Sequence, residues 1–566
     1  KNMVAGATGI DLVALVIAAD EGVMPQTREH LEICELLGIR HGLVVLTKID
    51  MVDVDWLELV REDILESLSA TFLAESPMVE VSSVTGGGLE ELIRVLDRMV
   101  EEVPERDLGH IFRLPIDRVF TMKGFGTVVT GTTISGSVRT GDEVTIYPQG
   151  IPSRIRGLQV HNREVKEVRA GLRTAINLQG VERASLMRGE ILATKNALRP
   201  TYMVDVLLRL LPSAPRKLKN RGKARFHTGT SEIIATVALE DRDELAPGDV
   251  CFAQVRLDAP TAVLKGDHYV LRSYSPVRTI GGGVVLNALP RKMKRYSRAV
   301  HDQLEKLHEG DLHETVELFV FLGRTQGVEE GELSFLVNCG RKRLEDVLQA
   351  LKAQKRIVLY DKERGGLIHA EFLEKARKEI LDTVEKYHQA FPLKSGLPKE
   401  ELRSRTTGAR NPKLFNYLVI ELAREGLISQ EKEMIRARDH RVTLAQDQEE
   451  TRSKLEEIYL QGGLQPPYFK EIKDRFPGKT GSELLEVLVK EGVLIKVKND
   501  LYFHRDAIEN LKKSLVDFLN ERGEIMTPEF KDLTGVSRKY TIPLIEYFDQ
   551  TQVTVRVGDS RVLRKK

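Results

Sequence analysis

Asp50 closes the stretch LVVLTKID (43–50), in which a run of apolar residues passes into Thr47-Lys48-Ile49-Asp50. A carboxylate at the carboxyl end of a buried strand can accept two hydrogen bonds from adjacent N–H donors. Guanine has such a pair at N1 and N2 and adenine does not, and the aliphatic stem of Lys48 would cover the ring face. Further on, VSSVTGGGLEEL (81–92) occupies the next strand end. There Ser82 and Val84, with Ser83 between them, would close the O6 side with backbone donors. Four residues alone read as a solvated turn; the two strand ends together point to a guanine nucleotide. Its phosphates need a glycine-rich loop of N–H donors and a lysine. Gly478-Lys479-Thr480 has Lys473 where the first glycine belongs, so it is a false match.

The elements that must position these residues alternate. LVALVIAAD, HGLVVLTKID and MVEVSSVTG read as strands, separated by amphipathic helices in QTREHLEICELLGI, VDWLELVREDILESLSATF and GLEELIRVLDRMVEEV. Continuously apolar strands between such helices belong to a parallel sheet covered on both faces, half of a doubly wound α/β domain. From about residue 110 to 293 the helical period gives way to short β-branched runs and Gly, Pro and Asp turns, which fit two successive β-barrels. Pro200 restarts the chain in extended form between them. Beyond 296 the chain is helical and charged, and a unit of helices closed by a strand pair recurs roughly every 60 to 70 residues. Helices closed by a hairpin describe winged-helix modules.

The expected fold is therefore multidomain: a partial α/β GTPase domain (1–106), two β-barrels (107–198 and 199–295) and four tandem winged-helix modules (296–370, 371–440, 441–508 and 509–566). At 566 residues, 41% hydrophobic and 30% charged, the chain must divide into several cores. Asp11 and Asp20 interrupt the apolar start, which excludes a membrane span or signal peptide there and fits a cytoplasmic location. Three cysteines without paired spacing exclude a disulfide framework and a zinc site and read as core residues. A net charge of +1 confines nucleic-acid binding to local patches. Lys1, rather than Met, opens the chain inside what reads as a helix, and a longer parent sequence is expected.

KNMVAG (1–6), MPQTREHLEICELLGI (24–39) and TKIDMVD (47–53) resemble translational GTPases of the elongation factor Tu class. FRLPIDRVFTMKGFGTVVTGTTISGSVRTGDEV (112–144) is similar to that class's second domain, and RFHTGTSEIIATV (225–237) with YVLRSYSPVRTIGGGVVLNA (269–288) to its third. With winged helices ending SRKYTIPLIEYFDQTQVTVRVGDSRVLR (537–564), the whole chain resembles the bacterial selenocysteine-specific elongation factors. In that family KNMVAG follows the second switch region. The resemblance thus implies that the phosphate loop, both switches, the Mg²⁺ ligands and the histidine that positions water lie upstream of Lys1, so no catalytic residue is expected here. One departure is Thr47, where the class uses Asn; losing the amide implies weaker or faster-exchanging GTP.

The resemblance further implies delivery of selenocysteinyl-tRNA to the ribosome at UGA codons. A selenol is anionic at neutral pH whereas serine is neutral, so cations in a partly closed pocket would separate them. The second domain offers Arg118, Arg173 and His161, with Asp117 as orienting partner. The last module is expected to bind a messenger RNA hairpin beside UGA. Thr527 would cap its first helix; Ser537 would cap the recognition helix, placing Arg538, Lys539 and Tyr540 in the first turn, and Arg556, Arg561 and Arg564 would stand on the wing. Pro543 would sit awkwardly in that helix. The first three modules read as spacer and positioning elements, with incidental ribosome contacts open to them. The implied partners are selenocysteinyl-tRNA, the hairpin and the ribosome, with the protein a monomer off the membrane. The alternatives are a general translational GTPase with a helical extension, or a winged-helix regulator of nucleic acid whose α/β domain is inactive.

Overall fold

A computed structural model describes residues 9–103, 111–122, 126–392, 394–440, 446–476 and 480–564. KNMVAG and Gly478-Lys479 lie outside them. The chain forms two compact units, residues 1–372 and 373–566.

The first unit begins with β1 (Leu12–Ala18), α1 (Pro25–Leu36), β2 (His41–Thr47), α2 (Val54–Leu68), β3 (Met78–Glu80) and α3 (Leu89–Glu102). The strands pair in parallel in the order β1-β2-β3. Gly42 to Leu46 of β2 are all buried, as a central strand demands, whereas Val16 on the edge strand β1 is 60% exposed. Asp53 caps α2 by accepting from the Trp56 amide at 2.8 Å. On α1, Ile33 and Leu36 pack against Leu211 and Val270 of the second barrel, and all four are buried. At about 1.5 kcal/mol or more per buried aliphatic, this contact locks the α/β domain to the barrel.

An eight-stranded antiparallel sheet follows. Its end strand Arg113–Pro115 meets the chain just beyond the penultimate strand Gly126–Thr132, where the Arg113 amide donates to the Ser135 carbonyl at 3.1 Å and the Ile134 amide to the Arg113 carbonyl at 2.9 Å. Next comes a closed barrel in which Thr201–Leu210 pairs with both Val250–Thr261 and Thr279–Asn287. Gly281, Gly282 and Gly283 make that closure possible. A Cβ on them would stand 2.4, 2.3 and 2.1 Å from the carbonyl oxygens of Arg209, Tyr269 and Leu207. Between the barrels Arg113 (7% exposed) donates to both carboxylate oxygens of Asp267 at 2.8 Å.

The first winged helix is packed onto the closed barrel. Leu304, Leu307, Val316, Leu333 and Leu367 belong to the same hydrophobic core as Val206, Phe226, Val255 and Leu286 of the closed barrel. The two are one body.

In the second unit the remaining modules each carry helices and a small antiparallel sheet, three-stranded in the second and fourth modules and two-stranded in the third. The fourth has Glu524–Met526, Ser560–Leu563 and Thr554–Val557 in that order, with helix Thr527–Thr534 and helix Arg538–Gln550. Met526, not Thr527, occupies the cap position of the first helix, because Glu529 reaches back to the Met526 amide at 2.8 Å. Pro543 is buried inside an otherwise continuous second helix. Cys34 and Cys251 are buried and Cys339 is half-buried.

Candidate functional site

The base-reading residues gather at the carboxyl ends of β2 and β3. Lys48 adopts a left-handed conformation (φ 59°) that turns the chain out of β2 into the short turn Ile49–Met51. Its ammonium lies 3.0 and 2.9 Å from the two Asp20 oxygens and 3.6 Å from Glu21, and the Asp20 hydrogen bond, with lesser help from Glu21, raises its pKa. Asp50 is exposed and has no partner among the described residues. The Thr47 hydroxyl donates to the Ile17 carbonyl at 3.2 Å, bracing β2 against β1 in place of an amide. Ser82 is fully buried, and its hydroxyl accepts from the Val84 and Thr85 amides at 3.2 and 3.1 Å. The Ser82 amide donates to the Gly87 carbonyl at 2.9 Å. The backbone donors expected of Ser82 and Val84 are thus occupied within their own turn, because a buried serine must satisfy its hydroxyl locally. Ser83 and Val84 are exposed. Gly88 (φ 76°) allows the turn, since a Cβ there would stand 1.8 Å from the Glu80 carbonyl oxygen.

The second candidate site lies on the eight-stranded sheet. Arg118 pairs with Thr130 and Arg173 with Thr132 on either side of strand Gly126–Thr132. Opposed residues of antiparallel strands share a face, as do positions two apart, so both arginines point the same way. Arg173 donates to one Asp117 oxygen at 2.6 Å and the Thr130 hydroxyl to the other at 2.7 Å. His161 (φ 50°) lies in the turn one residue beyond the last pair, Val160 with Thr174, at the same end as Arg173. Arg118 and His161 are exposed and have no partner among the described residues. Sequence reading missed Arg183 and Arg188, which join Asp117 and Arg118 in lining a cleft of about 610 Å³. Their signal was the arginine spacing in VERASLMRGE.

In the last module Ser537, Arg538 and Lys539 open the recognition helix, all exposed, with Tyr540 half-buried beside them. Lys539 lies 3.4 Å from Glu471 and 4.4 Å from the centre of the Tyr468 ring, so the third module contributes to this surface. Arg556 and Arg564 are exposed on the wing. Arg561 is different. It is 6% exposed, donates to Asp549 at 2.9 Å and faces the Thr527 hydroxyl at 3.4 Å. It stands on the middle strand of the wing sheet, over the recognition helix, and that position makes it a scaffold residue instead of an RNA contact.

Among the described residues, no group of three or more His, Cys, Asp or Glu side chains could hold a metal ion, and no helix is long and apolar enough to cross a membrane.

Comparisons with known proteins agree along the chain. Residues 1–102 match the elongation factor Tu GTP binding domain and 126–193 elongation factor Tu domain 2. Residues 205–292 match the selenocysteine-specific elongation factor beta-barrel domain, and 381–436 and 517–563 match elongation factor SelB winged helices. The selenocysteine-specific elongation factor of Desulfomicrobium baculatum is 42% identical over all of this chain and 89% of its own length. That of Escherichia coli (strain K12) is 29% identical over all of this chain and 88% of its own. The crystal structure of a bacterial selenocysteine-specific elongation factor, EF-Sec, is similar over all of this chain and 88% of that one, with a TM-score of 0.64 and 25% identity.

Proposed function

The chain belongs to the selenocysteine-specific elongation factors, translational GTPases of the elongation factor Tu class, and from that premise we propose how its residues divide the work. Lys48 and Asp50 read the guanine of GTP, with Thr47 bracing the strand that carries them and the 82–84 turn, its Ser82 and Val84 donors engaged internally, bordering the site. Asp50, exposed and unpartnered, accepts from the base, and Lys48, tethered to Asp20, lays its stem against the ring. Mg²⁺ accompanies the triphosphate in this class, and among the described residues no group of three or more His, Cys, Asp or Glu side chains is placed to hold it.

Arg118, Arg173 and His161 form the selenocysteine pocket of the delivered tRNA. The observation that carries this is the shared face of the two arginines, with Asp117 fixing Arg173 and leaving Arg118 free. A selenolate satisfies the free guanidinium, whereas a serine hydroxyl leaves that cation without a counter-charge. The last module grips a messenger RNA hairpin beside UGA through Ser537, Arg538, Lys539, Tyr540, Arg556 and Arg564, with Arg561 holding the wing in place. The factor works as a monomer in the cytoplasm, bringing its tRNA to the ribosome.

The test compares affinity for selenocysteinyl-tRNA and seryl-tRNA in the wild type and in Arg118→Ala and Arg173→Ala. We expect each variant to lose at least tenfold in discrimination, about 1.4 kcal/mol, mostly through weaker selenocysteinyl-tRNA. Unchanged discrimination in both would remove the pocket assignment.

A further inference from the structure

Helix α2 carries a stripe at four-residue spacing, Trp56, Val60, Ile64 and Leu68, and the last three are buried in the core of the α/β domain. Trp56 continues the stripe past the edge of that core, where it is half-exposed. Its indole Nε1 donates to the Ala19 carbonyl at 3.0 Å. Ala19 is fully buried and stands one residue beyond the last β1–β2 pair, Ala18 with Thr47. Its amide is engaged by the Thr47 carbonyl at 2.8 Å, while its carbonyl lies past the end of the ladder and takes its donor from the indole. The Thr47 hydroxyl is turned to the Ile17 carbonyl, two residues short of Ala19, so bracing at the strand end falls to Trp56.

Ala19 leads directly into Asp20, whose carboxylate holds the Lys48 ammonium at 3.0 and 2.9 Å. The turn that carries Asp20 is tight, the Glu21 and Gly22 amides both donating to the Ala18 carbonyl at 3.1 and 2.9 Å. From Lys48 the chain returns to α2 by an equally short path. The Lys48 carbonyl accepts from the Met51 amide at 3.0 Å, and Asp53 accepts from the Trp56 amide at 2.8 Å. Trp56, Ala19, Asp20, Lys48 and Asp53 thus close a ring of contacts at the carboxyl ends of β1 and β2, and Trp56 enters it twice, by indole and by amide. A pair as exposed as Lys48 with Asp20 leaves a lysine stem free to wander unless the carboxylate itself is fixed. The indole hydrogen bond supplies that fixing.

We infer that Trp56 is a positioning residue for the guanine nucleotide: its indole N–H holds the Ala19–Asp20 turn so that Asp20 keeps the Lys48 stem against the base. The inference rests on the guanine-reading roles proposed above for Lys48 and Asp50. Trp56 reads no base edge itself. It acts through Lys48, which meets the ring face that all purines share, and leaves the choice of guanine to Asp50.

The test uses the full-length protein and measures affinity and dissociation rate for GDP and for IDP, which lacks the 2-amino group that Asp50 reads. Trp56→Phe keeps a ring and removes the N–H, and Asp20→Ala cuts the tether from the other side without touching α2. Each should speed GDP dissociation about two- to tenfold, the range of one hydrogen bond, and weaken IDP in the same proportion. In the double variant the effects should not multiply, because both changes cut one chain of contacts, whereas two merely structural losses would multiply. Trp56 is the chain's single tryptophan, so its emission should change when GDP binds the wild type and change less when GDP binds Asp20→Ala. Hydrogen exchange over residues 54–68 should match the wild type in Asp20→Ala, which keeps the test open if Trp56→Phe loosens the helix. Unchanged GDP dissociation in Trp56→Phe, effects that multiply in the double variant, or a loss for GDP that IDP does not share overturn the inference. A wild type that binds no guanine nucleotide would instead remove the base-reading assignment itself; a wild type that binds normally beside an unaffected Trp56→Phe removes only the role of Trp56.

Discussion

Replacing Asp205 by Asn should stabilise the closed barrel at alkaline pH and leave no such gain in acid. Asp205 is 8% exposed, and burial lifts its carboxyl from 3.8 to about 7 despite hydrogen bonds from Gln254 and Asn287. Between those values the folded protein holds a proton that the unfolded chain has released. Stability from this group is complete below pH 3.8, declines as pH rises and is exhausted above about 7. At about 1.4 kcal/mol per pH unit the loss comes to roughly 4 kcal/mol. Asn carries no charge to bury but must find an acceptor for its amide, costing about 1 kcal/mol. The variant should therefore gain roughly 2 to 3 kcal/mol at pH 8 and lose about 1 at pH 4. The single tryptophan, Trp56, lies in the α/β domain, so fluorescence would follow the wrong body. Hydrogen exchange of peptides 201–210 and 250–261, corrected for intrinsic rates, reads the barrel directly. A wild-type barrel whose opening free energy is flat from pH 4 to 8, or a variant that keeps the wild-type slope, refutes the reasoning.

His388 is buried with its ring stacked 3.5 Å from His440, and burial, then His440, push it down to about 4. Its folded pKa lies below the ordinary 6.5, so the second winged helix should lose up to about 3 kcal/mol as pH falls from 6.5 to 4, read by exchange of peptides in 380–390; equal protection at pH 7 and 4.5 would refute this. Arg561→Ala strands the partly exposed Asp549 and should cost about 2 kcal/mol in the last module, visible in denaturant melts without RNA; a melt like the wild type's would return Arg561 to the RNA surface. Gly88→Ala places a Cβ on the Glu80 carbonyl at positive φ and should destabilise the α/β domain by several kcal/mol, followed by Trp56 fluorescence. Asp117→Asn removes the charge that fixes Arg173 and should lower discrimination between selenocysteinyl-tRNA and seryl-tRNA without changing hairpin affinity.

Where elements begin and end was legible because each kind writes its own period: β2 is a buried apolar run that stops at Thr47, and the wing turns at Gly558 with φ 64°. Partners across the fold were less so. The helices of the first winged helix declare an apolar face in their spacing, but nothing in that spacing says that barrel residues such as Val206 and Leu286 share its core. Arg556 and Arg561 look alike in VTVRVGDSRVLR and stand opposite each other in register. Only strand order separates them, Arg556 being on the edge and Arg561 in the middle. Arg118 and Arg173 were found as residue types, and the register then put them on one face. Arg183 and Arg188 reach their cleft through a loop whose path no periodicity encodes.

The core shared by the closed barrel and the first winged helix also sets an order of events during synthesis. The barrel's last strand ends at Asn287, but the core it shares is completed only by residues through Leu367. Phe252, half-buried, meets His301 of the following helix, Arg298–Glu309, at 5.4 Å. At about 5 to 20 residues per second, the ribosome makes the intervening 80 residues in roughly 4 to 16 seconds, and for that interval a hydrogen-bonded barrel presents an unfinished apolar flank. Until those residues emerge, that flank is open to non-native contacts.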